Sequence, residues 1–482
     1  MSCWLALPVL ALCGCASQPP YVPPDTTKAS PSAWSAESSA VNSSAELSPE
    51  RWWSELHDPA VDALVDAAFA DNPTLAEAVS RTDEARATLG ANAAQSAPTV
   101  TANAGITRAQ QQNTTSASTG STLLTTVASA GPSLSWELDL FGRVRQATEA
   151  ARIRVDARTQ DAAAARLSLA ADVANGALSL RACESTLRAL ADEIASRETT
   201  VALTRQRLGA GFAAAADEAR ALTGLASARI SHTSQQEQCA RQTNALVALS
   251  GVAAGAVRRL IAPSSGTPVD STAQAFMPVA PAVVAKLPAA VLARHPVVVS
   301  ADREAEAAWA DIGVAKANRL PRLNLAAALT GEWLTAAGLG QSFVTWSIGP
   351  TLSGTLFDGG AGAANVSAAE ARYRRALATL DNTLRTTVQD VENALAAQTS
   401  AEARVRSAGD GLTAARTLLT TSEAQWRTGA TSLLDLEDSR RQFATSRDAV
   451  ITARRDQAQS WVALVKATGG AVTFSAGEHL HD

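Results

Sequence analysis

The chain has 482 residues, a net charge of −5 and only four lysines, at 28, 286, 316 and 466, so arginine carries nearly all of its positive charge. That balance excludes the polybasic signature of a nucleic-acid binder. Aromatic residues are scarce at 4% and charged residues make up 18%, which suits long helices packed through small residues. No apolar run reaches about 18 residues, so no helix of the mature chain is expected to span a bilayer, and any crossing must use strands.

At the amino terminus, Trp4 to Leu12 forms an apolar segment followed by Leu12-Cys13-Gly14-Cys15-Ala16. The stretch resembles a bacterial lipoprotein signal box. The resemblance implies a signal peptide over 1–14, cleavage before Cys15 and lipidation of that cysteine. Ala16 in place of an aspartate implies sorting to the outer membrane. Met1-Ser2-Cys3 lacks the usual basic start, and an ordinary signal peptide with chance cysteines is the alternative. Residues 15–50 are rich in Pro, Ser and Ala and read as an extended tether with little packing of its own.

Proline punctuates the rest. None occurs between Pro132 and Pro263, nor after Pro350, so each stretch has room for a hairpin of two long helices. The chain also repeats itself. Gly131-Pro132-Ser-Leu134 recurs as Gly349-Pro350-Thr-Leu352, and Asp172-Val173-Ala-Asn175 recurs as Asp390-Val391-Glu-Asn393, both 218 residues on. Gly211 recurs as Gly429 at the same offset, whereas Asn72-Pro73 pairs with His295-Pro296 at 223. A consistent offset with one small step indicates a duplicated unit. The two units run over 51–262 and 288–470, with a Pro- and Ala-rich crossover linker at 263–287 and a tail at 471–482.

Each unit opens with a helix (about 59–95, then 288–318). A strand pair follows. Thr99 to Ile106 and Arg322 to Leu329 alternate, and a polar loop comes next, Gln110 to Ser121 in one unit and Ala336 to Gln341 in the other. On the returning strands Leu134, Trp136, Leu138 and Leu140 face away from Ser133, Ser135, Glu137 and Asp139; Val344, Trp346, Ile348 and Leu352 face away from Thr345, Ser347, Thr351 and Ser353. Trp136, Phe141, Trp333, Phe343 and Trp346 near the strand ends fit the aromatic girdles of a membrane barrel. A soluble hairpin laid on a core is the alternative.

Very long helices come after the strands. Val173, Leu180, Leu187, Ile194, Val201 and Leu208 are spaced by seven, as are Leu377, Leu384, Val391, Gln398, Val405, Leu412, Leu419 and Trp426. That spacing predicts left-handed coiled-coil seams. From Gly362 to Gly429 the helix would be about 100 Å long at ~1.5 Å per residue. The return helix carries Leu436, Phe443, Val450 and Leu464. The fold class is therefore mainly α with a small β part, built from a duplicated unit of strand hairpin plus long α-hairpin.

These features together resemble the TolC-like outer-membrane efflux factors, in the NodT-like lipoprotein branch that serves RND-type pumps. The residues carrying the likeness are the signal box at Cys15, Trp52-Trp53, the junction Trp136-Glu-Leu-Asp-Leu-Phe-Gly142-Arg143, and the turns at Gly211 and Gly429. The family implies a homotrimer with a twelve-stranded outer-membrane barrel continuous with a periplasmic helical tunnel. Elementary physics agrees, because four strands do not close a barrel and an open edge is not tolerated in lipid. The implied partners are a periplasmic adaptor protein, an inner-membrane RND-type pump and outer-membrane lipid, with no nucleic acid. The implied function is a passive exit duct for small toxic compounds. A duct for type I protein secretion and a coiled-coil lipoprotein without a pore are the alternatives.

Five residues after the signal box bear on the site. Cys183 lies 28 residues before Gly211 and Cys239 lies 28 after it, so the two share one height in a hairpin turning there. In an oxidising periplasm they are expected to form a disulfide; two buried thiols are the alternative. The family resemblance assigns Asp217, six after the first turn glycine, to a latch. It assigns Asp435 and Asp438, six and nine after the second, to a ring of carboxylates at the constriction. The alternative for Asp435 is a helix cap, since Ser432-Leu-Leu-Asp435 has the spacing of a capping box. Where relatives have a latch arginine and tyrosine, this chain has Thr431 and Trp426, and Arg207, Arg220 and Arg427 are the candidate substitutes. The tips around Arg207, Gly211 and Gly429 are where the family meets its adaptor. His57, His232, His295, His479 and His481 show no metal spacing, and no nucleophile elbow or phosphate loop occurs in a suitable context, so neither an enzyme nor a cofactor is expected.

Overall fold

The computed structural model describes residues 19–23, 31–34, 44–46, 51–112, 122–262, 277–278, 283–285, 288–336, 339–470 and 472–475. After β1 (Ser44–Glu46) the first repeat runs a 3₁₀ turn (Trp52–Leu56), α1 (Pro59–Asp71), α2 (Pro73–Ala94), β2 (Thr99–Gln112), β3 (Thr122–Leu138), α3 (Arg143–Gly209), α4 (Ala215–Ser250) and α5 (Ala254–Ile261). After β4 (Val283–Ala285) the second runs α6 (Pro288–Leu292), α7 (Pro296–Ala317), β5 (Arg322–Ala336), β6 (Leu339–Ser353), α8 (Ala361–Arg427) and α9 (Leu433–Ala467), and β7 (Val472–Ser475) follows it. The duplication holds closely: α3 and α8 are each 67 residues long, and α4 and α9 are 36 and 35.

The opening helix of each repeat is not continuous as expected. It breaks before Pro73 and before Pro296, because proline lacks an amide hydrogen and steers its predecessor out of helical conformation. At the first break Asn72 serves both sides. Its Oδ1 accepts from Thr74 N and Leu75 N, at 2.9 and 3.3 Å, and its Nδ2 donates to Leu249 O at 2.8 Å. Asp58 caps α1 by accepting from Ala60 N, and Pro59 suits the first helical position. The strands are longer than expected. β2 extends to Gln112 and β5 to Ala336, so both loops are narrower; what remains of them, 113–121 and 337–338, lies outside the described residues.

The chain divides into two compact units, each drawing on both repeats. The first comprises Met1–Pro24, Ser80–Thr159 and Ser300–Asp381. It holds a four-stranded antiparallel sheet in the order β2-β3-β5-β6. Pairing of Val100 with Leu134, Trp136 with Leu325, and Leu329 with Trp346 puts the apolar residues of all four strands on one face. That face lies open, with Ile106, Trp346 and Ile348 exposed by 78%, 75% and 65%. The opposite face is polar: Thr101 Oγ1 and Ser133 Oγ are 2.8 Å apart, and Asn103 Nδ2 donates to the same Ser133 hydroxyl. At the junction with the helices, Asp139 accepts from Val144 N and Arg145 N to cap α3, and Asp358 accepts from Gly360 N and Gly362 N at the start of α8. Arg143 grips Glu137 with two parallel bonds of 2.8 and 2.9 Å.

The second unit comprises Asp25–Val79, Gln160–Val299 and Asn382–Asp482. A cluster of fully buried Trp52, Trp53 and Trp461, with Leu64, Val65, Leu178, Leu180 and Leu246, forms its main core. Trp52 meets Trp53 edge-on at 5.8 Å, and Trp461 lies 5.7 Å from Trp52. The heptads face inward as predicted. On α8, Leu384, Val391 and Trp426 are buried, and a second seam three residues on is built of small side chains, Thr387, Ala394, Ala401, Ala415 and Ser422. Small seam residues let helix axes approach closely.

The segments read as tether, linker and tail take part in this packing, which for the tether is contrary to expectation. In the first unit Tyr21 Oη donates to Asp302 and Trp309 Nε1 donates to Pro19 O. In the second, Trp34 and Met277 join the tryptophan cluster, and β1, β7 and β4 form a three-stranded sheet in that order. Backbone pairing recruits these stretches where composition suggested none.

Candidate functional site at the helix tips

Two turns end the long helices, and the same local chemistry builds both. Gly211 and Gly429 have φ of +76° and +77°, a conformation that only glycine adopts without strain. Beyond them, Phe212 N donates to Arg207 O and Ala430 N to Gln425 O, each at 2.8 Å. These are paired Schellman ends, which close a helix by satisfying its last carbonyls. Sequence spacing found both turns for this reason.

The acids that follow have local partners. Asp217 accepts from Ala214 N at 3.2 Å and pairs with Arg220 at 3.2 Å. Asp435 forms a reciprocal capping box with Ser432: its amide donates to Ser432 Oγ, and its carboxylate accepts from the Ser432 amide and hydroxyl and from Thr431 Oγ1. Those hydroxyl bonds, Ser432 first, hold Asp435 below the usual carboxylate range. Asp438 accepts from Arg441 at 2.6 Å and Gln442 at 2.9 Å, and the Arg441 bond above all lowers its titration likewise. Both aspartates lie at the surface and are ionised at neutral pH.

Of the three arginines left open by the sequence, one crosses between the two hairpins. Arg220 bonds within its own helix, and Arg427 comes no closer than 4.0 Å to Glu423 of its own helix. Arg207 stacks its guanidinium 4.4 Å above the Trp426 ring and donates to Trp426 O and Arg427 O, at 3.1 and 3.2 Å. It thus caps the carboxyl end of α8 from the neighbouring hairpin, where a cation is favoured by the helix dipole. Trp426 is the residue that makes this stack possible. Beneath it, Val201, Ala221, Leu225, Leu433 and Leu436 close a small apolar cluster.

Cys183 and Cys239 are joined in a disulfide, with Cα atoms 5.6 Å apart, linking α3 to α4. Cys15 lies outside the described residues. Among the described residues no cluster of His, Cys, Asp or Glu has the arrangement of a metal site, and no single helix is long and apolar enough to cross a membrane.

Sequence reasoning missed a buried charged layer below the tips, formed by Arg197 on α3 with Glu437 and Arg440 on α9. A signal was there. Cys183, Leu190, Arg197 and Thr204 continue one seven-residue seam, and a charge in a seam demands a partner.

A family described as outer membrane efflux protein matches this chain over residues 64–252 and 287–470. The chain belongs to that family. It is 29% identical to the toluene efflux pump outer membrane protein TtgC of Pseudomonas putida over 97% of its own length and 94% of that protein. With outer membrane protein OprJ of Pseudomonas aeruginosa it shares 30% identity over 96% of this chain and 94% of the other. The solved outer-membrane channel OprN superimposes with a TM-score of 0.80 at 26% identity, covering 95% of this chain and 99% of that one. The chain is an outer-membrane efflux protein, and its role is transport. The matched residues span both helix tips and both strand pairs.

Proposed function

We propose that three copies of this chain assemble into the passive exit duct of a tripartite efflux pump. The sheet carries the reading: four strands leave β2 and β6 as open edges, one face of the sheet is apolar and exposed, and the other is lined with hydroxyls and amides. Unpaired edges are excluded from lipid, and twelve strands from three copies close them. The apolar face then meets the hydrocarbon and the polar face lines the pore. A lipid chain on Cys15 supplies a second anchor.

In this reading the helix tips are the periplasmic mouth. Arg207 takes the place of the family's latch arginine, holding the second hairpin to the first through Trp426. Three copies of Asp435 and Asp438 put six carboxylates around the opening, favouring cations; Asp217 orders the first tip. The surfaces around Gly211 and Gly429, with Phe212 projecting at 84% exposure, meet the periplasmic adaptor, and an RND-type inner-membrane pump supplies the energy. The substrate is a small toxic compound delivered by that pump.

Planar-bilayer recording of the purified full chain tests the pore, with cation-selective current expected and no current counting against it. Drug susceptibility of a deletion strain tests the cargo. Unchanged susceptibility with loss of a secreted protein would favour a type I secretion duct instead.

A further inference from the structure

Two apolar clusters hold the α8–α9 hairpin to α3, and they do not meet. On α3 the tryptophan cluster ends at Cys183 and Leu187, and the tip cluster begins at Ile194 and Val201. On α9 the tip cluster stops at Leu436 and the tryptophan cluster resumes at Ile451. Polar contacts cross this interval, alongside the buried Val450 and half-buried Phe443 of α9, which belong to neither cluster. Thr186 Oγ1 donates to Asp448 at 3.2 Å, and Arg447 reaches Asp192 at 3.3 Å. Arg197 bonds Glu437, and Arg440 donates to Thr200 Oγ1 at 2.6 Å.

The last two bonds form a closed layer. Arg197 also bonds Glu193 at 2.8 Å, and Arg440 also bonds Glu437 at 3.1 Å and Glu423 at 3.5 Å. Arg440 and Arg197 have side chains only 9% and 12% exposed. The space is made from the other hairpin helix: a Cβ on Gly224 of α4 would lie 2.5 Å from Arg197 Nη1. Two arginines face three glutamates, so the layer is nearly balanced and every charge has a partner.

Such a layer is a poor way to gain stability, because desolvation offsets the attraction, and a good way to set register. It also parts more readily than an apolar seam, since water can rehydrate each charge as the helices separate. We propose that Arg197, Glu437 and Arg440 are positioning residues of the channel. They hold the second hairpin in its closed register, and the polar interval is where that hairpin separates from α3 when the mouth opens. The tryptophan cluster stays packed while the tip cluster and the Arg207 tie release. This inference rests on the reading that the tips form the mouth.

Nitroxide labels introduced by Leu203→Cys and Leu434→Cys report on the seam, since both sites are exposed and lie on α3 and α9. The full chain is measured in membranes, with bilayer recording alongside. Glu437→Gln keeps the shape and removes the shared acid. It should add a longer label separation and raise open probability about tenfold, the effect of losing one hydrogen bond to a charged group. The triple variant Arg197→Leu/Glu437→Leu/Arg440→Leu should do the opposite, with one short separation, open probability below the parent and unchanged or higher melting temperature. A purely structural layer would leave the label separation unaltered in folded Glu437→Gln, and that result overturns the proposal. Shifts of both variants in one direction overturn it too. If the triple variant fails to assemble, Glu437→Gln decides alone. The label readout needs no current, so a parent without a pore whose seam still parts on Glu437→Gln would sink the channel reading and leave the seam intact.

Discussion

The tryptophan cluster and the tip cluster do the same job with different means. Each joins α3 to the second hairpin. The first is large: Trp52, Trp53 and Trp461 are fully buried among leucines and valines, and a disulfide ties the helix pair beside them. The second has six buried residues, capped by one arginine whose bonds reach backbone carbonyls. Free energy of local opening scales with such buried apolar contact. The difference places the more firmly packed region at one cluster and the more easily opened region at the other, which in the proposed reading is the mouth.

The sharpest way to break this comparison is to remove the matching aromatic from each side. Trp461→Ala should lower global stability by about 3–5 kcal/mol, the usual cost of a deleted buried aromatic, and reduce the yield of assembled protein. Trp426→Ala should leave the main thermal transition nearly in place while making the tips sensitive to protease. Calorimetry and limited proteolysis of the two variants decide the matter; equal losses of melting temperature would mean that the clusters form one cooperative unit.

Next in size is the disulfide. Cys183 and Cys239 are 56 residues apart in sequence, and releasing such a loop typically costs ~2–4 kcal/mol. Cys183→Ser/Cys239→Ser should therefore lower the melting temperature without changing channel current, because the bond lies at the stationary cluster. A change in current with no thermal effect would move the disulfide into the gate.

Much of this was legible in the sequence because it depends on period and punctuation. The heptads of α3 and α8, the strand alternation and the glycines of both turns are local signals, and duplication doubled each of them. The pairing of Cys183 with Cys239 follows from equal distances to Gly211. What the sequence hid is non-local. Nothing near Arg207 says that it will reach carbonyls 219 and 220 residues away, and Pro19, Tyr21 and Trp34 look like tether until α7 and the tryptophan cluster supply their partners. The dual nature of Asp435 was visible, and the capping spacing proved sufficient to engage its carboxylate locally.

Arg207 should show a smaller, localised effect. Its two hydrogen bonds and ring stack hold one hairpin end, and hydrogen bonds to charged groups contribute ~1.5–3 kcal/mol. Arg207→Ala should raise open probability and leave global unfolding almost unaltered. Arg207→Lys should restore little, since an ammonium neither forks to two carbonyls nor stacks flat on the indole. Full rescue by lysine would reduce Arg207 to a point charge and remove Trp426 from the account.

The smallest effect belongs to His295, at the break before α7. It is buried against Gly469, and burial pushes its imidazole below the ordinary value, only partly countered by a backbone bond to Lys466 and by Asp390. The folded state therefore favours the neutral ring. Above the unfolded value of about 6.5 both states are neutral and the group contributes no pH dependence. As pH falls below that, the unfolded chain binds the proton first and stability declines until the lowered folded value is passed. Each unit of depression corresponds to ~1.4 kcal/mol. His295→Gln should flatten the dependence of melting temperature on pH below about 6.5 while leaving tip-label separations unchanged. If acid instead widened the tips of the parent and not of the variant, the stationary cluster would be coupled to the mouth, and the division between the two clusters would fail.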